Sequence, residues 1–154
     1  MSVALDTRVT DGLNAARAAH RVRKLDERDN AQGVDVVIDG RPLVNFTSND
    51  YLGLAAHPRV VGRVQEELRQ HGFGSGSAAL LSGRSSLHAE LERELARFTG
   101  MQSALLFSSG YLANLGALTA LTSNSDLIVH DRLNHASLID GVLASGAQHR
   151  RYSH

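Results

Sequence analysis

The stretch Ala104-Leu105-Leu106-Phe107-Ser108-Ser109-Gly110-Tyr111-Leu112-Ala113-Asn114 joins a short apolar run to three small residues and then to a helix-forming segment. A buried strand that turns into a helix here leaves the first N–H groups of that helix without acceptors beside Ser109 and Gly110, which is a ready site for an anion. About one supersecondary unit later the pattern recurs. Leu127-Ile128-Val129 leads through a loop, Asp131 to Asn134, and His135 stands at the start of the next helix. In an open α/β sheet, ligands gather where the carboxyl ends of strands meet helix N-termini. An anion turn after one strand and an imidazole after the next therefore point to a planar, phosphorylated ligand, with Ser109, Gly110, Tyr111 and His135 as its candidate contacts.

The rest of the chain is compatible with one ordinary α/β domain. It has 154 residues, 42% of them apolar, enough to bury a core. Sixteen basic residues balance sixteen acidic ones, which argues against a nucleic-acid or membrane-surface role resting on bulk charge. Zero cysteines exclude disulfides and thiolate metal sites. The segment MSVALDTRVTDG carries acids and lacks the apolar centre of a secretory signal, and no apolar run approaches the roughly 20 residues that span a bilayer. The expected setting is the cytoplasm.

In chain order, Thr10 or Asp11 can cap a helix in which Leu13, Ala16, Ala19 or His20, and Val22 or Arg23 fall near one face. Its end, Arg21-Val22-Arg23-Lys24, is a small cationic cluster suited to a helix C-terminus. Val34 to Ile38, then Asp39-Gly40, then Arg41 to Phe46 is a β-hairpin signal, because Asp-Gly supplies the positive φ angles of a type I′ turn. Pro42 keeps the second strand at an edge. Thr47 to Gly53 is polar and turn-forming, and Asn49 there suits an Asx turn. A helix follows from about Pro58, with Val60, Val61, Val64 and Leu68 on one face.

Gly72-Phe73-Gly74-Ser75-Gly76-Ser77 invites a nucleotide-binding reading but follows a helix instead of a strand and lacks the G-x-G-x-x-G spacing. The glycines here suit close passage of the backbone past a ligand or a second subunit. Ser85 or Ser86 caps a helix whose Leu87, Leu91, Leu95 and Phe98 face the core while Glu90, Glu92, Arg93 and Glu94 face out. His88, at its start, reads as structural or solvated. Beyond Gly100, strands at Ala104–Phe107, Leu127–Val129 and around Arg150–Tyr152 alternate with helices at Leu112–Leu121 and Ala136–Leu143. The alternation implies right-handed crossovers and a largely parallel sheet. A zinc site at His130, Asp131 and His135 is disfavoured, since His130 ends a strand while His135 opens a helix. Ser108-Ser109-Gly110 lacks the G-x-S-x-G context of a nucleophile elbow. No metal is expected.

Four segments, NFTSNDYLGLAAHP at Asn45 to Pro58, LHAELERELARFTG at Leu87 to Gly100, FSSGYLAN and DRLNHASL, occur in the order in which they occur in the α-oxoamine synthases, and the chain resembles the N-terminal part of that family. The resemblance implies a fold-type I pyridoxal-phosphate (PLP) enzyme, class-II aminotransferase-like. Its N-terminal helix, hairpin and substrate-side segment would fill residues 1–57, and residues 58–154 would begin the mainly parallel sheet of the PLP-binding large domain. It further implies that His135 stacks on the pyridine ring as the catalytic and substrate-side histidine, and that Ser109, Gly110 and Tyr111 hold the phosphate. Arg23 would meet the distal carboxylate of the acyl substrate through its bidentate fork, and Asn49 would lie near the substrate. The glycine-rich loop would lie near a homodimer interface, although Ala78-Ala79-Leu80 stands where members often carry a basic residue.

The family's lysine, which holds the cofactor aldehyde, and the carboxylate that pairs with its pyridinium nitrogen have no counterpart here. Lys24 is the one lysine of the chain. The chain therefore resembles a truncated enzyme and is expected to be inactive alone. The reaction implied for the whole enzyme is decarboxylative condensation of L-alanine with a pimeloyl thioester, on carrier protein or CoA, within biotin synthesis, a choice towards which Arg23 and Arg132 lean. The alternatives are a glycine-using synthase of 2-amino-3-oxobutyrate or 5-aminolevulinate, or a noncatalytic α/β module that binds a phosphate or a partner.

Overall fold

The computed structural model describes residues 3–154, and the chain divides into two compact units, Met1–Phe73 and Gly74–His154. The first unit holds α1 (Val3–Ala18), the strands β1 (Asp35–Ile38) and β2 (Arg41–Val44), and α2 (Pro58–His71). The second holds a single π-helical turn at Ala79–Gly83, then α3 (Ser86–Thr99), α4 (Gly110–Leu121), β3 (Leu127–Asp131), α5 (Ala136–Ser145) and β4 (Gln148–Tyr152). No helix of the described residues is long and apolar enough to cross a membrane.

α1 differs from the sequence expectation at both ends. It runs upstream through Thr10 and Asp11, which therefore do not cap it, and it stops at Ala18. The stop is a Schellman motif: His20 takes a left-handed φ of 54°, its N–H donates to Arg17 O at 3.0 Å, and Arg21 N–H donates to Ala16 O at 2.8 Å. Val22 and Arg23 consequently leave the helix and continue as exposed chain outside any helix or strand.

The hairpin forms as the Asp-Gly pair dictates. Ile38 pairs with Arg41, and Asp39 and Gly40 have φ of 50° and 72°. Pro42 stands opposite Val37, whose own N–H donates to Asn30 Oδ1 at 2.9 Å and whose carbonyl accepts from Asp29 at 3.0 Å. Val37 thus turns its polar groups away from β2, and a residue without an N–H fits there. α2 begins with Pro58 behind a His57 cap, whose Nδ1 accepts from Arg59 N–H at 3.2 Å. Its apolar face, Val60, Val61, Val64 and Leu68, lies open to solvent.

In the second unit the π-helical turn is closed by Gly83 N–H to Ala78 O at 3.0 Å. A Cβ on Gly83 would lie 2.0 Å from Ser77 O, so this backbone crossing admits glycine alone. α3 has a capping box in which Ser85 and the His88 side chain serve each other's ends, the structural role expected for His88. Its inward side is not as read from the sequence. Among the described residues of α3, Ala96 is the buried one and Phe98 is exposed, while Glu92 turns inward. β3 and β4 pair in parallel, from Leu127 with Gln148 to Asp131 with Tyr152, with α5 as the crossover. Apart from Gly83 and Ala96, the unit's buried positions gather on and around α5: Ser137, Gly141, Val142 and Ala147, with His130 on β3.

The expected strand at Ala104–Phe107 is not one. The segment joins no ladder among the described residues, and Leu106 N–H instead donates to the Glu92 carboxylate at 3.0 Å. An apolar run becomes a strand only when another strand takes its backbone hydrogen bonds.

Candidate functional site

α4 is apolar on nearly all sides and begins where the chain emerges from Ser108-Ser109. Ser109 is the N-cap, extended at φ −157° and ψ 156°; its Oγ accepts from Leu112 N–H at 3.2 Å and its carbonyl accepts from Ala113 N–H at 3.0 Å. The cap thus serves the third donor of the helix and leaves the N–H groups of Gly110 and Tyr111 with no acceptor among the described residues. These two donors point out of the positive end of the helix. A Cβ built on Gly110 meets no atom within 4 Å, so the space over this end is open. The Tyr111 phenol donates to Asp140 on α5, and that bond, then burial, then the carboxylate's charge, raise the phenol's pKa above its ordinary value.

His135 is the N-cap of α5, at φ −56° and ψ 143°. Its Nδ1 accepts from Ser137 N–H at 3.2 Å and lies 2.7 Å from Ser137 Oγ, which in turn accepts from the Asn114 carboxamide of α4 at 2.9 Å. The helices cross closely, since a Cβ on Gly141 would stand 2.7 Å from Leu118 Cδ1 and 3.2 Å from Asn114 O. Both helix N-termini thus belong to one unit and are joined by side-chain hydrogen bonds. That brings together Ser109, Gly110, Tyr111 and His135, four of the six residues singled out from sequence.

The loop between β3 and α5 is held firmly. Asp131 accepts from Leu133 N–H at 2.6 Å and pairs with His154 at 2.8 Å, and Arg132 N–H donates to Tyr152 O at 3.1 Å. His130 Nδ1 donates to Asp131 O at 3.1 Å, and its Nε2 lies 3.5 Å from His149 Nδ1. No group of three or more His, Cys, Asp or Glu among the described residues is placed to hold a metal ion.

Arg23 and Asn49 belong to the first unit. Both are exposed, and neither side chain has a hydrogen bond or ion pair among the described residues. Asn49 does not close the Asx turn that its sequence context suits. That turn belongs to Asn45, whose Oδ1 accepts from Thr47 N–H at 3.0 Å, while Ser48 Oγ accepts from Asp50 N–H and Asp50 accepts from Leu54 and Ala55. Lys24 is engaged with Asp39 at 2.8 Å and Asp26 at 3.4 Å. These bonds, Asp39's first, raise its ammonium pKa.

Sequence reading missed Asn114, Ser137, Asp140 and Glu92. The signals were present: Asn114 is a lone carboxamide in an apolar helix, one turn after Gly110. Glu92 accepts both guanidinium nitrogens of Arg84, at 3.2 and 2.6 Å, as well as Leu106 N–H. Its side chain is 11% exposed, and the Arg84 bonds, followed by that of Leu106, hold its carboxyl below the ordinary range.

The chain is similar to known proteins in sequence and in fold. An 8-amino-7-oxononanoate synthase of Pseudomonas paraeruginosa is 52% identical over 142 residues, 92% of this chain and 35% of that protein. Among solved structures, a serine palmitoyltransferase variant from S. paucimobilis with a bound PLP–myriocin adduct superposes with a TM-score of 0.85 at 29% identity, over 94% of this chain and 38% of that one. An 8-amino-7-oxononanoate synthase from Francisella tularensis superposes with a TM-score of 0.60 at 36% identity, over 71% and 30%. The chain spans about a third of the length of the curated relatives it matches. The sequence profile of the class I and II aminotransferases matches residues 41–154, and with its α/β fold and paired helix termini in place the chain belongs to that family.

Proposed function

We propose that this chain forms the phosphate-seating and ring-orienting part of a PLP-dependent C-acyltransferase. Its reaction is the condensation of L-alanine with a pimeloyl thioester, on acyl carrier protein or CoA, to 8-amino-7-oxononanoate in biotin synthesis. The observation that carries this reading is the pairing, within one unit, of two unsatisfied N–H donors at Gly110 and Tyr111 with an imidazole on the adjoining helix terminus. When bound, PLP supplies an electron sink for the substrate's α-carbon.

The residues of this chain fit the phosphate end of that group. Gly110 and Tyr111 offer backbone donors at a positive helix end, and the open space at Gly110 leaves room for phosphate oxygens. His135 orients the pyridine ring by stacking on it. Arg23 holds the distal carboxylate of the acyl substrate, a role supported by a guanidinium that no acid of the described chain engages, and Asn49, with a free carboxamide, lies on the substrate side. The bare apolar faces of α2 and α3, and Leu80 and Leu81 at 99% and 82% exposure, support assembly with further chain and with a second copy, since proteins seldom leave such surface in water.

The test is turnover by an enzyme of full family length that carries these 154 residues, followed by thiol release and product mass. Alanine with a pimeloyl thioester should be preferred over glycine or serine, and over an acyl thioester lacking the distal carboxylate. Preference for glycine or serine, or indifference to that carboxylate, overturns the assignment. His135→Ala should shift the cofactor's absorbance and slow turnover more than it loosens cofactor; wild-type spectra and rate in that variant refute the stacking role.

A further inference from the structure

We propose that Asn114 and Ser137 are positioning residues for His135, forming a relay that fixes which ring nitrogen carries the proton and how the ring is turned. The inference rests on the reading of His135 given above and assigns the side chains that make it possible. It starts from a constraint on Nδ1. A backbone N–H can only donate, so the 3.2 Å contact from Ser137 N–H requires a lone pair on His135 Nδ1. The neutral ring is then protonated at Nε2, because the bond made by one ring nitrogen decides the state of the other.

Ser137 Oγ reinforces the choice. It accepts from Asn114 Nδ2 at 2.9 Å and lies 2.7 Å from the same Nδ1, to which it gives its own proton. The bonds therefore run in one direction, from carboxamide to hydroxyl to imidazole. Ser137 is 1% exposed, so water does not compete for its hydroxyl, and a buried chain of this kind is strong when complete and costly when broken. Gly141 lets α5 come close enough to α4 for the relay to close. A ring held at Nδ1 cannot rotate to offer that nitrogen elsewhere, and since His135 is exposed its Nε2–H and its faces stay available to a ligand. Asn114 sits one turn into the helix that starts at Gly110, so one helix positions both the phosphate donors and, through Ser137, the ring.

The experiment uses the full-length enzyme, with Asn114→Ala, Ser137→Ala, the double variant and His135→Ala. Nitrogen-15 histidine spectra of the cofactor-free proteins report the His135 tautomer, and absorbance and steady-state kinetics report the loaded ones. The relay predicts a smaller Nε2–H population in each single variant, one that the remaining Ser137 N–H bond to Nδ1 still favours, together with a shifted cofactor absorbance and a kcat lowered up to about a hundredfold with cofactor affinity changed by less than about threefold. The double variant should be no worse than Ser137→Ala, because both changes break one chain. Ser137→Thr, which keeps the hydroxyl, should restore the tautomer if Ser137→Ala proves unstable. An unchanged Nε2–H form in either single variant, additive losses in the double variant, or failure of the threonine to restore the tautomer overturns the relay. Mixed tautomers with a cofactor spectrum indifferent even to His135→Ala uphold the relay and overturn the stacking reading instead.

Discussion

Gly110→Val separates a ligand site from a structural turn. Nothing among the described residues opposes a Cβ here: it meets no atom within 4 Å, and Gly110 is not among the glycines with positive φ. The cofactor-free enzyme should therefore melt within about 0.5 kcal/mol of wild type, as exposed substitutions do. With phosphate seated on the N–H groups of Gly110 and Tyr111, the valine branches crowd it and remove one hydrogen bond to a charged group, about 1.5–3 kcal/mol. That is roughly a ten- to hundredfold rise in Kd for PLP. Thermal melts show the same quantity differently: at PLP a hundredfold above the wild-type Kd, wild type gains about 2.7 kcal/mol, while a variant weakened a hundredfold gains about 0.4 kcal/mol. Titration by absorbance and paired melts of a full-length enzyme measure both. A cofactor-free melt lowered as much as the loaded one, or an undiminished gain from PLP, would refute the reasoning.

Arg23→Ala in the same enzyme should weaken the pimeloyl thioester by about 1.5–3 kcal/mol and leave alanine binding unchanged; equal losses with a thioester lacking the distal carboxylate would mark Arg23 as a surface charge. The 154-residue chain by itself should form no stable covalent band with PLP. Its one lysine, Lys24, is paired with Asp39 and Asp26 in the first unit, and the unit that carries Gly110 and His135 has no lysine; a band that survives Lys24→Ala with the N-terminal amine blocked would contradict this. Glu92→Gln should lower the melting temperature near pH 7 but not in acid. A carboxyl whose folded pKa is depressed stabilises above its unfolded pKa and loses that contribution as pH falls through the folded one, so a gap between wild type and variant that does not narrow as pH falls below the ordinary carboxylate range would show that the charge is not the cause.

Much of this was legible because it is local. Asp39-Gly40 carries its turn in two residues, Pro58 and Ser85 mark helix starts, and Ser109-Gly110-Tyr111 announces a helix end with spare donors whatever surrounds it. What escaped reading depends on distant atoms. Ala104–Phe107 has a strand's composition but no ladder. Leu91, Leu95 and Phe98 have the spacing of a core face, yet among the described residues Ala96 is what α3 buries. Glu92 looks like one more surface acid until Arg84 and Leu106 N–H converge on it. His135 was legible by position, whereas its grip through Ser137 depends on α4 crossing α5. α1 misled for a different reason: a left-handed His20 ends it, and non-glycine residues take that conformation too seldom to be anticipated.

The parallel pairing of β3 with β4 sets an order of events in time. The β1–β2 hairpin joins residues that are close neighbours in sequence and can close within about 1–10 μs. Leu127 and Gln148 meet only after the chain between them has wound into α5 and swung back, a loop-closing step whose entropy is spent before any ladder bond repays it. α5 can lie down only where Gly141 clears Leu118. The glycine that permits the close crossing thus stands on the path by which the second unit acquires its sheet, and a bulkier residue there is expected to slow refolding, read by stopped-flow, as well as to loosen the finished packing.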